Sequence, residues 1–144
     1  MSLHEQMLAA LAIPPERLGA GSAVGLAVVA DQAAMIRHFA DSMLADYRAA
    51  LAAGRERAVF IVPVGPVGQY DALAARCNAE RISLSRLVLL NMDEYLAADG
   101  GLIDQADRLS FRGHMNRHFF GKLDPALAPP RAAVVFPDRR DPAN

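Results

Sequence analysis

Four short apolar runs, residues 24–29, 58–62, 87–92 and 132–136, are separated by segments whose apolar residues recur every three to four positions. Continuous rather than alternating hydrophobicity is what a strand buried on both faces requires, and parallel strands need helical crossovers between them. The pattern predicts an α/β fold: a Rossmann-like parallel sheet with helices on both faces. Asp31 is placed to cap a helix carrying Met35, Phe39, Met43, Tyr47 and Leu51 on one side, with Gly54 ending it. A second helix is expected from about Asp71 to Arg81, and a third from the spacing of Phe111, Met115 and Phe119 up to Gly121. A doubly wound sheet that stops on its fourth strand keeps an open edge and an uncovered face, so the unit reads as incomplete at its C-terminus.

The start of the chain has a different character. Leu3, Met7, Leu8 and Leu11 mark a short amphipathic helix, stopped by Pro14 and Pro15 and followed by the breaker segment 19–22. Residues 1–22 are therefore expected to be a helical appendage, and residues 23–144 the N-terminal portion of the α/β domain. The tail PDRRDPAN has no periodicity and reads as loop.

A chain of 144 residues is one domain by length and buries roughly two-thirds of the surface its unfolded form exposes. Charged residues make up 22% with a net charge of −1, so no field of one sign points to nucleic acid or an anionic membrane as partner. The single Cys77 excludes an intramolecular disulfide and fits a reducing compartment. With no apolar stretch of membrane-spanning length and no signal-peptide pattern at the start, the expectation is a cytoplasmic protein.

In open α/β sheets the ligand crevice lies beyond the carboxyl ends of the strands, and there the third run delivers Asp93 and Glu94. A partly desolvated carboxylate at such a rim can take and return a proton near neutral pH. The same acids could instead cap a loop, neutralise a basic neighbour or bind a divalent cation. The turn VPVGPVGQY, residues 62–70, follows the second run and opens a helix, a setting in which backbone N–H groups can hold an anion; Gly65 and Gly68 could equally serve a tight turn. His114 and His118 are four apart but lack a third ligand, so they read as surface or packing residues, and His38 as a boundary residue of its helix; Arg112 and Arg117 could reach an anion, but read more simply as solvated helix arginines. Cys77 has no neighbour suited to activate it.

NMDEY at 91–95, followed by SFRGHMNRHFF at 110–120, resembles the glucosamine-6-phosphate deaminase/isomerase family, which also includes 6-phosphogluconolactonases. The matching positions are the Asn-Met-Asp-Glu-Tyr run itself and Ser110, Met115, Arg117, Phe119 and Phe120, and Tyr95 stands where the lactonase branch usually has arginine. The resemblance implies an aldose–ketose isomerisation coupled to loss of an amine, with Asp93 moving a proton between C1 and C2 of the open sugar, and with no organic cofactor or metal. It implies a small-molecule sugar phosphate as the partner, with Gly65, Val67, Gly68 and Glu94 at the substrate. Glu94, next along an extended backbone, points away from Asp93 and suits a supporting or ion-pairing role as well. The family's turn carries a Ser-Thr pair where this chain has none, and Val64 replaces its threonine. The resemblance covers about residues 24–138, the N-terminal half of such an enzyme. Two alternatives stand beside the deaminase: a lactone hydrolase, and a sugar-phosphate-binding regulatory module without turnover. The open sheet edge makes self-association a further expectation.

Overall fold

The computed structural model of the chain describes residues 1–65 and 67–138. Pro66 of the glycine turn and residues 139–144 of the expected tail loop lie outside them. Two compact units emerge, 1–34 and 35–144, and the division expected after residue 22 falls inside the first.

In the first unit, helix α1 spans Leu3–Leu11. Ser2 accepts from the Glu5 backbone N–H while the Glu5 carboxylate accepts from the Ser2 N–H, a capping box that satisfies two donors the helix cannot. Its apolar side is uncovered: Leu3, Met7, Leu8 and Leu11 are 54–80% exposed. Residues 24–29 do not form the strand their hydrophobicity predicts. Val24, Leu26 and Val28 are all more than half exposed, and no strand among the described residues pairs with them. Apolar content supplies a reason to be buried, but a strand exists only by pairing.

The second unit holds most of helix α2, Gln32–Ala52, whose Ala40, Leu44 and Tyr47 are buried. Asp31 accepts from the Ala34 N–H at 2.7 Å, the cap its position foretold. Strand β1, Ala58–Val62, runs parallel to β2, Leu87–Asn91, in the register Ala58 to Leu87 and Val62 to Asn91. Strand β3 is only Val134–Val135, parallel to β2 and led in by a 3-10 turn at Arg131–Ala133. The order β1-β2-β3 makes β2 the central strand. Helix α3, Gln69–Glu80, connects β1 to β2 and begins two residues earlier than its apolar spacing suggests, because Gly68 already turns the chain at φ +104.

Ala58, Val62, Leu87 and Leu89 on one sheet face pack against α2 and α3, with Leu73, Ala74 and Cys77 at the centre. Each fully buried leucine there contributes about 1.5–3 kcal/mol of transfer free energy. On the opposite face Val59 and Ile61 are 59% and 67% exposed. The parallel sheet with its helices is the α/β arrangement the sequence predicts, with the β1 part of this face left open among the described residues. The third expected helix is present as α4, Phe111–Met115, but continues through Asn116–Phe120 as a π turn with a Gly121 N–H to Asn116 carbonyl bond of 2.8 Å. Among the described residues no helix is long and apolar enough to cross a membrane.

Candidate functional site

Parallel pairing sends the carboxyl ends of β1 and β2 to the same edge, so the turn after β1 and the segment 92–95 after β2 share one rim of the sheet. The Met92 N–H donates to the Val62 carbonyl at 2.9 Å, carrying the pairing to the last residue before Asp93. Asp93 is exposed rather than sheltered, and makes no hydrogen bond or ion pair among the described residues.

Glu94 has a different environment. Its Oε1 accepts from the backbone N–H groups of Tyr95 and Phe111, both at 2.9 Å. Its Oε2 accepts from the Arg112 N–H at 2.7 Å and the Ser110 hydroxyl at 3.0 Å. A carboxylate has about four acceptor positions, and these donors take them. The sequence left Glu94 open between a substrate contact and a supporting role, and here it caps α4, because a helix start offers unpaired N–H groups and a favourable dipole to any carboxylate within reach. Ser110 completes the cap: its Oγ accepts from the Gly113 N–H at 3.0 Å and its carbonyl from the His114 N–H at 2.9 Å. All four leading donors of α4 are thereby satisfied.

The acidic loop between Tyr95 and Ser110 is held by its own side chains. Asp99, Asp104 and Asp107 each accept a backbone N–H two residues ahead, at 2.7–2.8 Å, as aspartates in turns do. Gln105 lies on α4: its carbonyl accepts from Arg117 at 3.1 Å and its side-chain oxygen from Asn116 at 2.5 Å. Gly113 is where the loop touches, since a Cβ there would stand 2.0 Å from the Gln105 carbonyl oxygen. Tyr95, half exposed, rests its ring 5.1 Å from that of Phe111.

The turn after β1 is fastened from α3. The Gln69 amide donates to the Val64 carbonyl at 2.8 Å, and the buried Tyr70 hydroxyl donates to the Pro63 carbonyl. Burial pushes the Tyr70 phenol far above its ordinary value of 10, so it remains a donor. Gly68 needs its positive φ, and a Cβ there would meet Ile36 at 2.9 Å; that glycine has a structural reason. Gly65 has no close neighbour to exclude, and Val67 is 63% exposed.

For three side chains that the sequence reading passes over lightly, the structure adds burial and an unpartnered polar atom. Gln69 is wholly buried with its Oε1 unpartnered, and Asn91 is 5% exposed, bound through Nδ2 to the Val135 carbonyl at 2.9 Å, with its Oδ1 unpartnered. Arg112 is half-buried rather than solvated: it donates to the Ile103 carbonyl at 3.2 Å, and its Nε is shielded without a partner. A polar residue within an apolar run was the available signal for Asn91; nothing local marks the other two.

His118 faces the Asp71 carboxylate at 3.0 Å, Lys122 bonds the same carboxylate at 2.5 Å, and the His114 ring stacks on His118 at 4.3 Å. Burial raises the Asp71 carboxyl, but its bonds to Lys122 and His118 outweigh that and leave it below the usual carboxylate range. Burial, then the neighbouring His118, holds the His114 imidazole below its ordinary value. Among the described residues no group of three His, Cys, Asp or Glu side chains could hold a metal ion.

No protein-family model matches the sequence, and no curated protein matches it. A solved structure, that of a monomeric glucosamine-6-phosphate deaminase described as a missing link of the NagB superfamily, aligns with a TM-score of 0.57 at 19% identity over 76% of this chain. The chain spans 40% of that structure's length. At this identity the likeness is one of fold: a Rossmann-like α/β unit.

Proposed function

We propose that the protein is a glucosamine-6-phosphate deaminase/isomerase-like enzyme in which Asp93 transfers the proton between C1 and C2 of an open amino-sugar phosphate, giving a ketose phosphate and ammonia. The observation that carries this is Asp93 itself. An acid held just beyond the central strand of a parallel sheet, exposed and without a partner, has no structural task and stands where such sheets place chemistry. One carboxylate suffices, because its two oxygens can reach adjacent carbons from one side. The capped start of α4 and the turn after β1, fastened by Gln69 and Tyr70, give that rim fixed surroundings, and the fold likeness to a deaminase supports the same reading.

Glu94 acts by fixing α4, while Gly65, Val67 and Gly68 line the sugar side. A substrate of this kind places the protein in the cytoplasm. The test is ammonia release from glucosamine 6-phosphate by the full-length gene product beside Asp93→Asn. Proton transfer by a positioned side chain contributes about 10²–10⁴-fold, and the variant is expected to lose that much rate at an unchanged unfolding midpoint. Equal rates in the two proteins would sink the assignment. A second reading, a sugar-phosphate-binding module without turnover, is favoured by one feature: no residue from 62 to 69 bears a hydroxyl. Saturable binding of glucosamine 6-phosphate with no ammonia released would select it.

A further inference from the structure

A cavity of about 500 Å³ lies between α4, the loop carrying Gln105, and β3. Its volume is that of a small-molecule site. Its lining combines the polar and cationic side chains of Arg112, Arg131, Gln105 and Asn116 with apolar residues, Phe120 and Phe136 among them. Among the described residues no acid lines it, and neither arginine makes an ion pair. Asp93, Gly65, Val67 and Gly68 are not part of it.

Arg112 is the informative side chain. Its backbone N–H is fixed by Glu94 and one guanidinium nitrogen by the Ile103 carbonyl, while its shielded Nε has nothing to bond. A guanidinium is always charged, and with its Nε shielded and one terminal nitrogen held by Ile103, the donors it can offer a ligand are its remaining terminal N–H groups. Arg131 stands in the 3-10 turn before β3, exposed and without an ion pair. Two guanidinium groups without ion pairs, in a cavity that also carries two phenylalanines, suit an oxyanion attached to an apolar or ring-shaped body.

We infer that this cavity is a binding site for a small molecule carrying a phosphate or carboxylate, held by Arg112 and Arg131 with its ring against Phe120 and Phe136. The site goes beyond the proposed chemistry at Asp93 and does not depend on it.

The experiment is an NMR titration of the isotopically labelled 144-residue chain with phenyl phosphate in one arm and benzoate in the other. Saturable shifts at residues of the cavity are expected in at least one arm, and the arm identifies the oxyanion. Arg112→Gln and Arg131→Gln should each weaken binding about tenfold or more, the loss of one charge-assisted bond, and Asp93→Asn should bind as the parent does. Arg131 is exposed and its side chain makes no hydrogen bond or ion pair among the described residues, so its variant reports even if Arg112→Gln is unstable. No saturable shift in either arm, or undiminished affinity in Arg131→Gln, overturns the inference. Binding retained in a protein that releases no ammonia would remove only the reading of Asp93.

Discussion

Replacing Glu94 by alanine separates a supporting carboxylate from a substrate-binding one. The substitution strips the partners from the Phe111 and Arg112 N–H groups and from the Ser110 hydroxyl, which is fully buried. Each lost bond is worth about 1 kcal/mol net, and the lost anion at the helix start adds about 0.3–1 kcal/mol. Water reaches the half-buried Phe111 and Arg112 positions and returns part of this, leaving an expected loss of about 2–3 kcal/mol. In urea, with a slope of about 2 kcal/mol per molar, the unfolding midpoint should fall by roughly 1–1.5 M. Glu94→Gln keeps the shape but turns an amide NH2 toward backbone donors, and should show at least half the shift. A midpoint change under about 0.3 M at constant slope in Glu94→Ala would refute the capping assignment and return Glu94 to the substrate side.

Gly113→Ala would place a methyl 2.0 Å from the Gln105 carbonyl oxygen, a backbone atom that cannot simply swing away. The loop must lift from α4, and the expected cost, at least the 1–3 kcal/mol of an overpacked site, is readable by thermal denaturation with faster amide exchange at residues 103–106. His114 has its folded value lowered, so it stabilises the neutral side: that contribution is present above its ordinary 6.5 and is lost as pH falls through and below it. His114→Gln should flatten the decline in unfolding midpoint between pH 7 and pH 5.5, and an unchanged slope would place the titrating group elsewhere. Burial, with Glu80 adding to it, raises the Cys77 thiol to about 11, and its side chain is fully enclosed. Thiol reagents at neutral pH should label it only at the rate of unfolding; fast labelling of the folded chain would contradict that enclosure.

The sheet strands β1 and β2 are legible in the sequence as continuous apolar runs, and helices α1 to α3 by their three-to-four-residue repeat. Residues 24–29 carry the same signal and form no strand, since the pairing partner is not encoded in the run itself. The Glu94 cap joins residues 16 to 18 positions apart, a relation no local spacing reveals. Asp93 and Glu94 are adjacent and chemically alike, yet only the position of α4 separates a bonded carboxylate from an unengaged one. Gln69 and Asn91 stand in motifs the sequence displays, but their burial was not legible for a related reason: it depends on turns and strands brought in from elsewhere.

The π turn at Asn116–Phe120 also bears on how this chain can vary in length. A π turn holds one residue more than the α turn it replaces. Losing one residue there would restore ordinary winding without a new loop, so a shorter descendant could keep its ends in place. It would also free position 121, where a Cβ now meets the Asn116 carbonyl at 2.6 Å, to become something other than glycine. The cost would fall on aim: Phe119, now buried against Tyr70, and Phe120, now in the cavity wall, would no longer both keep their faces. Where helices of this kind differ by a single residue, the change to look for beside it is the glycine.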